Sequence, residues 1–207
     1  MKGAARRTQE DRREQSGRGL VHAVVEVVAE SGVGAATFEA IGARAGYSRS
    51  LVTQRFGSKQ GLIDAVIEHA SARFQALSTN ERVNALPGLD ALLLLLEIYL
   101  TELATSRELR TYFMLLSSAV ADLSELRAVF AAEHERVKAR LIEIVARGQA
   151  DGSIRPEIDA DSAALMVGSL QLGLSVQILV DPTTDLEPIR RTALNTLRLS
   201  FARLGPA

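Results

Sequence analysis

Between Ser48 and Phe56 the chain reads Ser-Arg-Ser-Leu-Val-Thr-Gln-Arg-Phe. Placed on a helix, Val52 and Phe56 are four apart and turn inward with Tyr47 nearby, which leaves Arg49, Ser50, Leu51, Thr53, Gln54 and Arg55 facing out. Arg can donate bidentately to guanine, Gln can bond adenine, and the Leu51 side chain or the Thr53 methyl can touch a thymine methyl. The outward set therefore suits the major groove of a DNA duplex. Thr37, Ser48 and Lys59 stand at expected helix starts, where a hydroxyl or ammonium joins the orphan N–H groups and the helix dipole in favouring a phosphate.

Short helices separated by tight turns must position these side chains. Leu20, Val21, Val24, Val25 and Val28 give helical spacing from about Gln15 to Ser31, and Gly32 follows where a C-cap wants glycine. Thr37 can cap a second helix with Phe38, Ile41 and Ala45 on one face. Gly46 breaks it, Ser48 caps a third reaching Phe56, and a fourth begins near Lys59 and runs to Phe74. This is a helix-turn-helix arrangement. Gly42 inside the second helix costs about 1 kcal/mol relative to Ala, which points to another backbone coming close there. The charge agrees. Residues 1–59 hold ten Lys and Arg against six Asp and Glu, whereas residues 60–207 hold fourteen against nineteen, a basic front on an acidic body.

Residues 18–66, above all Thr37–Ile67, resemble the DNA-binding domain of the TetR family of transcriptional regulators. Gly32, Thr37, Ile41, Ala45-Gly46, Ser48, Phe56, Ser58-Lys59 and Leu62 carry the resemblance, and Ala150–Leu165 is similar to the family's linker before its eighth helix. The resemblance implies a homodimer on palindromic double-stranded DNA and a helical C-terminal domain with a pocket for a small-molecule effector. It places Arg49, Ser50, Leu51, Thr53, Gln54 and Arg55 in the groove and Thr37, Ser48 and Lys59 on phosphates. The sequence departs from the family at Thr53, where Tyr is usual, and at Arg55, where His is common.

Beyond the front end, helices are expected over about Leu89–Ala104, around Leu109–Val120, and over Leu123–Ala150, Ala163–Val180 and Leu186–Leu204, with Ser78–Asn84 a polar gap. The fold class is all-α with about nine helices. It divides into a flexible basic arm (1–15), a helix-turn-helix domain (16–66) and a helical ligand-binding and dimerisation domain (67–207). His69, Tyr99, Tyr112, Phe113 and His134 are the candidate pocket residues, although each also reads as ordinary core or surface. The small stripe Ala164, Gly168, Leu172 and Ser175, with Ile189, Ala193, Leu197 and Phe201 of the last helix, can build a two-fold interface or simply bury within one subunit.

Ala163–Val180 carries no charge, yet its Gly, Ser and Gln residues and flanking Asp161 and Asp181 fit a buried helix better than a membrane span. No apolar signal segment opens the chain, and the absence of Cys fits a reducing, cytoplasmic setting. His22, His69 and His134 have no His partner at helical spacing. Glu133, Glu135 and Glu143 read as a solvated face, and no nucleophile elbow or phosphate loop occurs. No metal, cofactor or catalytic residue is expected. The rival reading is a small-molecule-binding or enzymatic helical bundle with no role on DNA.

Overall fold

A computed structural model describes residues 9–122 and 124–203, with side chains from residue 15 on. Ten α-helices occur among them: α1 (Gln9–Ser31), α2 (Phe38–Ala45), α3 (Arg49–Phe56), α4 (Lys59–Ser78), α5 (Glu81–Ala85), α6 (Gly88–Thr105), α7 (Arg107–Ala121), α8 (Leu126–Asp151), α9 (Ala160–Val180) and α10 (Leu186–Phe201). The described residues hold no strand, only one bridge between Ile154 and Ala202.

Short polar side chains set most of the helix starts. Thr37 accepts from the Ala40 N–H, Ser48 from Leu51, Ser58 from Gly61, Ser106 from Leu109 and Asp159 from Ser162. Gly46 closes α2 in the left-handed region, at φ 72°. Two expectations need correction. The first helix is already formed at Gln9, inside the segment read as an arm, where Glu10, Arg12, Arg13, Glu14 and Gln15 are good helix formers that need no apolar periodicity; residues 1–8 lie outside the described residues. Residues 81–85 form α5 within the expected gap. Asn80 caps it, Val83 is fully buried, and Arg140 and Arg147 of α8 donate to Asn84 and Val83, so tertiary bonds hold a helix too short to show a period.

One aliphatic core runs from α1 to α10. α6 lies at its centre, and ten of its eighteen residues are buried. Its polar stripe is covered from α10, Arg190 pairing with Glu97 at 2.5 Å and Arg198 with Asp90 at 3.6 Å. Pro87 gives α6 no side-chain cap. Instead Asp151 Oδ2 accepts from the Gly88 N–H at 2.8 Å and Ser153 Oγ from the Leu89 N–H at 3.1 Å. Burial opposes ionisation of Asp151, yet the bonds its carboxylate accepts from Ser153, whose N–H donates to Oδ1 at 2.9 Å, and from the Gly88 N–H hold it below the usual range. α6 meets α8 backbone to backbone: a Cβ on Gly88 would lie 2.2 Å from the Gly148 Cα.

Candidate nucleic-acid interface and internal cavity

The outward set of α3 emerges as the spacing demands. Val52 is fully buried and Phe56 half-buried, Leu51 is half-buried, and Arg49, Ser50, Thr53, Gln54 and Arg55 are exposed. Gly42 accounts for the set of the helix. A Cβ there would sit 2.7 Å from the Tyr47 carbonyl oxygen, and the Tyr47 N–H donates back to the Gly42 carbonyl at 2.8 Å. Glycine thus lets the turn fold onto α2.

The polar groups of this face have local partners. Arg49 pairs with Glu39 of α2 at 2.8 Å, and the Ser48 and Ser50 hydroxyls lie 2.8 Å apart. Thr53 donates its hydroxyl to the Arg49 carbonyl at 3.1 Å, using it on its own helix. Lys59 Nζ reaches the Val33 carbonyl at 3.5 Å, bringing the start of α4 beside the turn that leads to exposed Thr37. Arg55 leans away from the other outward residues: a Cβ on Gly17 of α1 would lie 2.7 Å from its guanidinium. Part of the basic excess is spent internally. Arg44 of α2 grips Glu30 of α1 at 3.0 and 2.5 Å and touches Glu26 at 3.5 Å. The bond from Arg44 lowers the Glu30 carboxyl, and that from Glu30 raises the Arg44 guanidinium.

In the C-terminal part α4, α6, α7, α8 and α9 line a partly open cavity of about 210 Å³. Tyr99, Tyr112, Phe113 and His134 line it as expected, together with Phe74 of α4. The rings meet edge to face: Tyr112 lies 5.1 Å from Phe113 and from Phe130, and Phe74 6.1 Å from Tyr99. Tyr99 donates to the Gln171 carbonyl at 3.0 Å and touches the Ser175 hydroxyl. Burial pushes both Tyr99 and Tyr112 above the usual phenol range. It also lowers His134, which keeps its imidazole neutral.

His69 is absent from this wall. It is exposed beside Arg55 and Phe56 in an open cleft between α1, α3 and α4, because Ala70, Ser71 and Phe74 occupy the cavity side of its helix. The glutamates expected on a solvated face divide: Glu143 and Glu135 are exposed, whereas Glu133 is buried at 8% exposure against the cavity and contacts Arg136. Gln171, unflagged in the sequence, also lines the wall. A polar residue inside an uncharged apolar run was the available signal for it. Among the described residues no three potential metal-ligating side chains cluster.

α9 is long and apolar enough to cross a membrane, with a mean hydropathy of 1.8 over its best window, 39% of which is buried. Its buried face holds Ala163, Ala164, Val167, Gln171, Ser175 and Ile178, and Gly168 faces the cavity. The small stripe expected at an interface is thus mostly interior, Leu172 alone being well exposed at 36%. Ala193, Leu197 and Phe201 of α10 are buried and Ile189 half-buried. The exposed apolar face is Leu165, Met166, Leu172, Val176 and Val180, rotated about one residue around the helix, and Leu165 and Leu172 also border the mouth of the cavity.

Residues 20–66 match the family described as bacterial regulatory proteins, tetR family, and residues 89–201 match the C-terminal domain of BetI-type transcriptional repressors. No curated protein matches the chain significantly in sequence. Among solved structures, a TetR-family regulator from Rhodococcus sp. is 21% identical and superposes with a TM-score of 0.77 over 91% of this chain and 100% of its own. SmeT, the repressor of a Stenotrophomonas maltophilia multidrug efflux pump, is 26% identical with a TM-score of 0.72 over 91% of each chain. A regulator from Saccharomonospora viridis, solved with choline, is 19% identical with a TM-score of 0.75 over 92% of this chain and 100% of its own. The chain is a DNA-binding transcriptional regulator and belongs to the TetR family, in which ligand-responsive repression is the norm.

Proposed function

We propose that this protein is a cytoplasmic repressor that binds a palindromic operator as a homodimer and lets go when a small molecule enters the cavity. Arg49, Ser50, Leu51, Thr53 and Gln54 read base edges, and Thr37, Ser48 and Lys59 hold phosphates. Arg55, leaning toward α1, supplies charge near the backbone in place of a direct base contact. Two copies pair through α9 and α10, with Leu165, Met166, Leu172, Val176 and Val180 as the apolar seam around small Ser169 and Gly173.

A single observation carries this reading: α4 is one unbroken 20-residue helix that starts against α3 and ends on the cavity wall. The expected domain boundary at residues 66 and 67 falls in the middle of it, so the two domains share a rigid element. A Cβ on Gly61 would lie 2.3 Å from the Phe56 carbonyl oxygen, a backbone joint with no slack. A dimer reads half-sites about 34 Å apart, and a tilt of α4 that changes this spacing prevents simultaneous docking.

Selection from a random duplex pool tests the reading. Enrichment of an inverted repeat is expected. Retention without enrichment would replace it with nonspecific coating, and no retention would overturn it.

A further inference from the structure

Five helices line the partly open cavity, and its chemistry is unusual in one respect. Gln171 is 5% exposed and lines the wall, yet its side-chain Nε2 is buried with no hydrogen-bond partner. Its backbone cannot relieve this, because the Gln171 carbonyl already accepts from the Tyr99 hydroxyl at 3.0 Å and the Ser175 hydroxyl at 2.9 Å. Buried donors without acceptors are rare, and each calls for an explanation. An acceptor brought by a ligand supplies one.

The charged groups buried or half-buried around the cavity are already paired. Glu133 contacts Arg136, and Lys138 pairs with Asp161 at 2.8 Å with Glu135 also close enough to raise its affinity for the proton. His134, on the same helix, is neutral through burial. An ion entering would leave water and find no buried unpaired counter-charge, Glu135 being exposed to solvent at the rim, which is costly. The size suits a single ring. An apolar cavity of about 150 Å³ accommodates benzene, so about 210 Å³ takes one ring with a small substituent. Phe74, Tyr99, Tyr112 and Phe113 offer that ring edges and faces.

Building on the cavity as the effector site, we propose that it takes an uncharged single-ring molecule whose one carbonyl or hydroxyl oxygen accepts a hydrogen bond from the Gln171 side-chain amide. Gln171 thereby selects among apolar molecules of equal size.

Calorimetry on the full-length protein tests this with acetophenone, with α-methylstyrene (the same shape with a methylene in place of the oxygen) and with choline. The affinity of acetophenone relative to α-methylstyrene should fall about tenfold from wild type to Gln171→Met, while α-methylstyrene binds both alike. An unchanged ratio would overturn the proposal, as would choline binding more tightly than either aromatic. Unchanged operator affinity verifies that Gln171→Met is folded. A second measurement needs no variant: in wild-type protein labelled with 15N-glutamine, one side-chain amide pair should move downfield with acetophenone and stay in place with α-methylstyrene. No such difference would also overturn it. Operator release is scored separately. A tenfold ratio change without release supports the ligand class and refutes ligand-driven release, whereas release with an unchanged ratio refutes the ligand class alone.

Discussion

Gly42→Ala sets two effects of comparable size against each other. In a helix interior, Ala replacing Gly stabilises by about 1 kcal/mol. Here the new methyl would lie 2.7 Å from the Tyr47 carbonyl oxygen, 3.3 Å from the Ser48 carbonyl carbon and 3.4 Å from the Arg49 nitrogen, all backbone atoms. Ordinary contact begins at 3.4 Å, so the turn must retreat by about 0.7 Å, carrying the Ser48 cap and the start of α3 with it. Overpacking of this kind costs about 1–3 kcal/mol. The net is a destabilisation of about 0–2 kcal/mol, and at about 2–4 °C per kcal/mol for a chain of this size the melting temperature falls by up to about 8 °C. Binding suffers more. One well-made base contact is worth about 1–3 kcal/mol, so displacing the first turn of α3 should weaken the selected operator by about tenfold or more. Thermal melts and fluorescence anisotropy measure the two effects. Gly168→Ala is the matched control, since nothing lies within 4 Å of its Cβ position and the change should be neutral to stabilising. If Gly42→Ala melts above wild type and binds the operator unchanged, the close approach exerts no constraint and the reasoning fails.

Arg49→Ala should relax base preference at one operator position, whereas Lys59→Ala should weaken all sequences similarly and reduce the slope of log affinity against log salt by about one; equal, sequence-independent losses would contradict the division of roles. Val176→Asp places a charge on the exposed apolar face of α9 proposed as the seam and should convert the proposed dimer to monomer in sedimentation at micromolar concentration; an intact dimer would move the interface elsewhere. Burial depresses the His134 pKa in the folded state below its ordinary 6.5, so the unfolded chain binds that proton more readily. The contribution of neutral His134 to stability is therefore complete above about pH 6.5 and declines as the pH falls through that value. Melts at pH 7.5 and 5.5 should show this loss, and His134→Gln should reduce it.

The helix-turn-helix was legible because its signals are local. Thr37, Ser48 and Ser58 cap the helices they precede, and Gly42 betrayed a backbone contact through its cost alone. The cavity was partly legible, since Tyr99, Tyr112, Phe113 and His134 are amphipathic residues on apolar helix faces. His69 misled because a helix has several faces and spacing within α4 does not say which one meets α6 and α7. The stripe on α9 misled for a related reason. Small residues permit close approach, but Ala164 and Ser175 accommodate neighbours inside the subunit, whereas the larger Met166 and Val176 remain outside. Glu133 was out of reach and Gln171 offered only its polarity inside an apolar run, because their burial depends on the packing of α8 and α9 against helices distant in sequence.

The α4 helix also limits how the two sites can communicate. Thirteen residues separate Gly61 from Phe74, about 20 Å at 1.5 Å per residue. At the Gly61 end the backbone contact with Phe56 is stiff, so a rotation of α4 carries α3 with it. At the far end two ties hold the helix to α6: the edge-to-face contact of Phe74 with Tyr99, and the pair of Arg73 with Glu102 at 2.9 Å. The ion pair is half-exposed, and surface pairs of this kind contribute little to holding a helix. Phe74 against Tyr99 is therefore the stronger of the two ties to α6, beside the packing of α4 on α7 and α8, and both rings line the cavity. On the proposed reading, a ligand packed against them acts directly on a contact that helps to position the helix. An effector needs only to prefer one α4 position over the other by about 1–3 kcal/mol, which a single repacked aromatic contact in a buried site can supply.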